Sequence, residues 1–215
     1  MVKIINFIKQ IWQKRTIYRI LFNWQVKKNC GKLDGKILDL ASGGQPSYGS
    51  YLPNNLKIIK TDYRPKEGVE KIINFNQPLP FSDNEFDNIL FFNALYIVEN
   101  RIGLFNDLRR VLKNNGSLFI ASPFINAEMP EPHDYCRLTA EGLEKELREA
   151  GFSDIKIERF GERFSCAAYL INVFLYFRIV KLFVYAKVLL LDKWIPRGIK
   201  KSQPCPLGYF CEVKK

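Results

Sequence analysis

Histidine occurs once in the 215 residues, at His133. A zinc centre built from Cys and His is therefore nearly excluded, because such sites draw on several ligands of these two kinds. No metal site is expected. Cysteine is scarce as well: five residues, an odd number, with no C-x-x-C spacing. That excludes a simple disulfide framework and points to a reducing, cytoplasmic compartment. The N-terminus lacks the uncharged apolar run of a signal peptide, since Lys9, Lys14, Arg15 and Arg19 interrupt it and no small-residue cleavage site follows. Acidic residues are missing from positions 1–33, which hold eight Lys and Arg. The G-x-G-x-x-G triplet of dinucleotide-binding dehydrogenases is absent after the first strand-like segment, which sets that class aside.

What is present suffices for a folded core. The chain is 47% hydrophobic, with 17 Phe and 10 Tyr, and its length suits one domain with added elements. The net charge of +11 is divided unevenly. Residues 34–177 carry 16 basic and 20 acidic side chains, whereas residues 178–215 carry nine basic and two acidic ones. A mildly acidic middle makes a poor nucleic-acid groove, so nucleic acid is not the expected partner. Basic charge mixed with Ile, Leu, Phe and Trp at both ends suits an anionic membrane surface better.

Periodicity predicts one roughly amphipathic helix over 3–29, stopped by Gly31. From Lys36 the pattern alternates between strand and helix. Strands are expected at 36–41, 56–62, 69–75, 86–93, 117–123, 154–160 and 208–214. Helices are expected at 101–113 and from the Thr139 cap through Ala150, with a turn at 114–116 and a stop at Gly151. Such alternation implies an α/β fold with a mainly parallel sheet covered on both faces. Residues 166–191 are helical in pattern and very apolar. A membrane span there would place Arg178, Lys181 and Lys187 in lipid at roughly 2.5–3.5 kcal/mol each, and no single helix face can hide all three. A helix lying in the interface, or two shorter helices, is physically easier. Packing on the domain or pairing of two copies would equally use such a surface.

Open α/β sheets bind ligands at the carboxyl ends of their strands. The first strand ends in Asp39-Leu40-Ala41-Ser42-Gly43-Gly44, and the second ends in Asp62, 23 residues after Asp39. These segments, "ILDLASGG" (37–44) and "TDY" (61–63), come with "NFNQPLPFSDNEFD" (74–87), "RRVLKNNGSLFIASPF" (109–124) and "HDYCRLTAEGLEKELREAGF" (133–152). In this order and spacing the chain resembles the class I S-adenosylmethionine (SAM)-dependent methyltransferases, in particular the methyltransferase type 11-like group, from about Lys36 to Phe160. The resemblance implies a Rossmann-like seven-stranded sheet. It divides the chain into an N-terminal basic amphipathic helix (1–33) and a methyltransferase domain (34–215), with an apolar helical insertion at about 164–200.

The resemblance also implies site roles. Ala41, Gly43 and Gly44 would lie against the methionine part of SAM, with Asp39 beside its amino group. Asp62 would bind the ribose, Tyr63 and Phe75 would flank the adenine, and Asn74 would accept from the adenine amino group. Asn93 would end near the sulfonium. The chain departs from the family at Ala41, at Gln45, and at Tyr96-Ile97 where relatives carry Glu-His. Pro46 implies that the helix after the loop is short or absent. Asp87, at the start of a strand, is expected to be structural.

A hydroxyl acceptor gains from a general base. His133 is the candidate, with Asp134 to orient it or touch substrate; in the competing reading Asp134 and Arg137 pair to hold the loop and His133 is merely exposed. Relatives with these motifs act on hydroxyls of sugars and polyketides, on quinone precursors and on other small molecules. The basic apolar ends add a lipid-linked acceptor at the inner face of a membrane. The rival from another class is a catalytically silent SAM-fold protein serving as a membrane or partner scaffold.

Overall fold

The central strands are buried on both faces, and successive side chains point to opposite sides of the sheet, which divides the core in two. The computed structural model describes residues 2–130 and 133–215; Met1 falls outside them. The strands are β1 (Lys36–Leu40), β2 (Lys57–Asp62), β3 (Lys71–Ile72), β4 (Phe86–Phe92), β5 (Leu112–Pro123), β6 (Ser153–Phe160) and β7 (Gly208–Lys214). They form one sheet in the order β3-β2-β1-β4-β5-β7-β6. All neighbours run parallel except β7, which is antiparallel to both β5 and β6. Leu38, Leu40, Ile89, Phe91, Leu118 and Ile120 face one layer, with helices α3 (Arg101–Val111) and α4 (Ala140–Glu149) on that side. Ile37, Leu90, Phe92, Phe119 and Phe210 face the other.

That second face is covered from the N-terminus. Instead of one helix over 3–29 there are two, α1 (Val2–Trp12) and α2 (Ile17–Cys30). Lys14 takes a left-handed φ of 60°, and the Thr16 side chain accepts from the Arg19 amide at 3.2 Å, starting a new helix. Ile17, Ile20, Phe22 and Val26 of α2 are then buried against the sheet face. Helix α2 is thus part of the core. No α-helix connects β1 to β2, in line with Pro46; only a 3₁₀ turn at Gly49–Tyr51 is present, and α2 packs against it.

Other differences are local. The segment 69–75 pairs only at Lys71–Ile72, so Asn74 and Phe75 emerge on a loop. The 114–116 turn sits as an irregularity inside β5, where Asn115 has φ 63° and the register with β4 jumps from Phe86↔Leu112 to Asn88↔Ser117. The apolar stretch 166–191 is broken into α5 (Arg163–Leu170), a 3₁₀ turn (Ile171–Phe174) and α6 (Arg178–Trp194), followed by α7 (Arg197–Ser202). Among the described residues no helix is long and apolar enough to cross a membrane. Asp87 accepts from the Lys36 amide and the Lys113 ammonium, each at 2.8 Å, and so ties strand starts together.

Candidate active site

The strand order reverses between β1 and β4, and the crevice at their carboxyl ends is where a ligand is expected. The loop leaving β1 is left-handed at Ala41 (φ 67°), Gly43 (70°) and Gly44 (80°). At Gly44 a Cβ would come within 2.0 Å of the Glu67 carbonyl oxygen, so only glycine fits. At Gly43 the nearest atom to a Cβ would be Asp62 Oδ2 at 3.9 Å. A side chain there would fill space that the bare backbone leaves open. The Gly43 amide donates to Asp62 Oδ2 at 2.8 Å, and the Arg64 amide to Oδ1 at 3.1 Å. Lys66 stands 3.6 Å from Oδ1. Asp62 is thereby fixed on the wall of a cavity of about 410 Å³.

Ala41, Gly43, Asp62, Tyr63, Phe75 and Asn93 all line this cavity, so six of the expected cofactor residues come together. Tyr63 and Phe75 face each other with ring centres 6.4 Å apart. Gly44 shapes the loop from behind. Asn74 is exposed, accepts from the Asn76 amide through its side-chain oxygen at 3.0 Å, and lines an adjoining hollow that shares Tyr63, Phe75 and Ile97 with the main cavity.

Asp39 is not on the cavity wall. It is 1% exposed, and the Tyr48 hydroxyl lies 2.7 and 3.0 Å from its two oxygens. Tyr48 itself lines the cavity and so stands between Asp39 and any ligand. Burial raises the Asp39 pKa to about 7, against the lowering effect of the Tyr48 hydrogen bond and of Lys60.

Asn93 ends β4 in a left-handed conformation, φ 56°, with its amide donating to the Ala121 carbonyl at 2.8 Å. Its side-chain oxygen accepts from the Tyr18 hydroxyl. Burial holds that phenol far above its usual pKa, so it stays protonated. Asn93, Tyr96, Arg15 and Arg19 also line a second cavity of about 350 Å³, together with Lys14, Tyr18 and Tyr169. Its described lining is cationic and phenolic, with no carboxylate or imidazole.

His133 is exposed and stacks on Tyr135 with ring centres 5.2 Å apart. It lines the adjoining hollow beside Asn74, not the second cavity. Asp134 accepts from the Met129 amide at 2.8 Å and is gripped by both terminal nitrogens of Arg137. That guanidinium holds the Asp134 carboxyl below the usual carboxylate range. Arg137 in turn lies over the Tyr96 ring at 5.2 Å, and the Tyr135 amide donates to the Tyr96 carbonyl at 2.8 Å. The pairing of Asp134 with Arg137 therefore anchors this loop. Arg15, Tyr18, Arg19 and Tyr48 complete the walls. They come from outside the sequence motifs; Arg15, Tyr18 and Arg19 were signalled only by the basic, aromatic character of the N-terminal segment, and Tyr48 by nothing.

Residues 39–120 match a family model described as a methyltransferase domain. Among curated proteins, an uncharacterized protein of Methanocaldococcus jannaschii, MJ1123, is 30% identical over 102 residues, which is 42% of this chain and 50% of that one. A second from the same organism, MJ0638, is 35% identical over 102 residues, 44% of each chain. The chain spans about half the length of the curated relatives it matches. Among solved structures, a SAM-dependent methyltransferase from Archaeoglobus fulgidus superposes with a TM-score of 0.62 at 16% identity, covering 92% of this chain and 94% of that one. Phosphoethanolamine N-methyltransferase 2 of Haemonchus contortus, in complex with SAM, gives 0.60 at 16% identity, covering 90% and 52%.

Proposed function

We propose that this chain, which has the class I SAM-dependent methyltransferase fold and carries a methyltransferase domain over residues 39–120, transfers the methyl group of SAM to an oxygen of a small-molecule, glycan or lipid-linked acceptor. The observation that carries the reading is Asp62, a carboxylate held by two backbone amides on the wall of a cavity of about 410 Å³. Ligand sites typically span about 300–1,000 Å³. The residues fit the cofactor: Asp62 keeps lone pairs for ribose hydroxyls, and Gly43 opens the backbone toward the ligand. Tyr63, Phe75 and Ile97 form an apolar slot for the adenine. Arg15 and Arg19 offer cations to the methionine carboxylate.

When bound, SAM supplies an electrophilic methyl group on a sulfonium. The chain has to align the acceptor in line with that methyl and exclude water. Asn93 and Tyr96, shared by the two cavities, mark where donor and acceptor meet. In the second cavity Lys14, Arg15 and Arg19 stabilise an acceptor oxygen as an anion. The hydroxyl therefore gives its proton to solvent before transfer and the resulting oxyanion takes the methyl group, which suits an acidic hydroxyl better than an aliphatic one.

The sealing of Asp39 behind Tyr48 favours the rival reading, a silent scaffold with this fold. Titration calorimetry with SAM separates the two. The methyltransferase binds SAM, and Asp62→Ala weakens binding about a hundredfold, since a hydrogen bond to a charged group contributes about 1.5–3 kcal/mol. No SAM binding by the wild-type chain would leave only the scaffold.

A further inference from the structure

We propose that α6, the 3₁₀ turn before it and α1 form a face that docks on an anionic bilayer surface. Along α6 the exposed stripe runs Phe183, Lys187, Leu190, Trp194, at successive spacings of four, three and four residues. Phe174 (72% exposed), Phe177 (75%), Phe183 (69%) and Trp194 (80%) leave their rings in solvent. A contiguous apolar patch of this kind marks an interaction site rather than ordinary surface.

The helix cannot turn this stripe inward. Its opposite face is fixed by buried Tyr185, whose hydroxyl donates to the Asn172 side chain at 2.6 Å. Asp192, also buried, accepts from the Phe164 and Ser165 amides at 2.9 and 3.2 Å. Rotation of α6 would break these contacts and strand a carboxylate. The outward stripe is therefore a built feature. Helix α1 packs against α6 and adds Ile4, Ile5, Ile8 and Trp12, all exposed.

Charge selects the occupant. Helices α6 and α7 carry seven basic residues, with Lys187 on the stripe itself and Lys193 next to Trp194, and their one acidic residue, Asp192, is buried. Residues 1–33 contain no acidic residue at all. Pairing two copies through this face would bring basic fringe against basic fringe with no carboxylate between them. Anionic headgroups supply the missing charge, and aromatic rings settle at the headgroup level. Among the described residues no helix is fit to span a membrane, so the contact is with the surface. A groove beside Val173, Tyr176 and Arg178 shares Lys14 with the second cavity. If the chain is the methyltransferase proposed above, that groove is the path by which an amphiphilic acceptor passes from the bilayer to the second cavity.

Vesicle flotation tests the docking, comparing phosphatidylcholine vesicles with vesicles that also contain phosphatidylglycerol. The wild-type chain is expected to float with the anionic vesicles and to be released by salt. Phe177→Ser and Phe183→Ser should each weaken binding about tenfold, and Lys187→Gln and Lys193→Gln about fivefold each. All four should keep the wild-type thermal melt. Absence of binding to anionic vesicles would overturn the proposal, as would binding that all four substitutions leave unchanged. So would a dimer dissociated by Phe183→Ser in a chain that ignores vesicles. SAM calorimetry on the same samples reads the other proposal independently: vesicle binding without SAM binding would keep the docking face and remove the methyltransferase.

Discussion

The Tyr48 hydroxyl closes over the Asp39 carboxylate, 2.7 and 3.0 Å from its oxygens, in a site cut off from solvent. Burial, against the lowering effect of that hydrogen bond, makes Asp39 a proton-binding group of the folded state. Its pKa there is about 7, against an ordinary 3.8. The folded chain thus holds this proton where the unfolded chain has released it. Stability contributed by Asp39 is complete below the unfolded value and declines as pH rises from about 4 to about 7. Asp39→Asn keeps an acceptor for Tyr48 and removes the buried charge. Thermal melts across pH should show the variant gaining on the wild type through that window and staying ahead above it. A constant difference between the two at every pH would contradict the assignment.

Ala41 holds a left-handed φ of 67° at a position where its Cβ is unfavourable. Replacing it by glycine relieves that strain at some cost in chain entropy. Ala41→Gly is expected to stabilise the protein by about 1 kcal/mol, which is about 2–4 °C in melting temperature for a domain of this size. A lowered melting temperature would mean that the alanine methyl packs better than its backbone suggests.

His133 was the natural candidate for a base because it is the single imidazole in the chain. Its place on the hollow beside Asn74, stacked on Tyr135, leads us to propose packing beside the cofactor rather than proton abstraction. His133→Ala should leave kcat close to the wild-type value while raising the KM for SAM a few-fold, through lost packing near Tyr63 and Phe75. A collapse of kcat at unchanged SAM affinity would restore the base.

Much of the sheet was legible because its cues are local. The run at 208–214 is the strand found, and Thr139 caps α4 where the sequence placed it. The N-terminal break was harder to see. Lys14 gives no hint of a left-handed backbone, and the Thr16 cap lies inside a stretch whose apolar spacing reads straight through. The glycine loop and Asp62 were legible as motifs, since both depend on short-range backbone geometry. Tyr48 and Tyr18 were not. Each reaches the site through packing between distant segments: Tyr18 meets Asn93 across 75 residues, and no spacing rule encodes that. Asp134 was legible in part: its pairing with Arg137, three residues on, is one of the two readings the sequence leaves open, and the structure shows that pairing.

Arg15 lies on the walls of both cavities, one turn before Arg19 in the segment joining α1 to α2. If it faces the methionine carboxylate, its contribution should depend on that group alone. S-adenosylhomocysteine carries the carboxylate, whereas 5′-methylthioadenosine shares the adenosine and lacks it. Arg15→Gln is expected to weaken S-adenosylhomocysteine about tenfold or more, as a charge-assisted hydrogen bond contributes about 1.5–3 kcal/mol. Methylthioadenosine should bind variant and wild type alike. Calorimetry with the two nucleosides makes the comparison within one variant, so a general loss of folding would weaken both and be recognised as such. Equal weakening of both ligands in a fully folded variant would move Arg15 away from the carboxylate and leave its charge to the acceptor side, where Lys14 and Arg19 already stand.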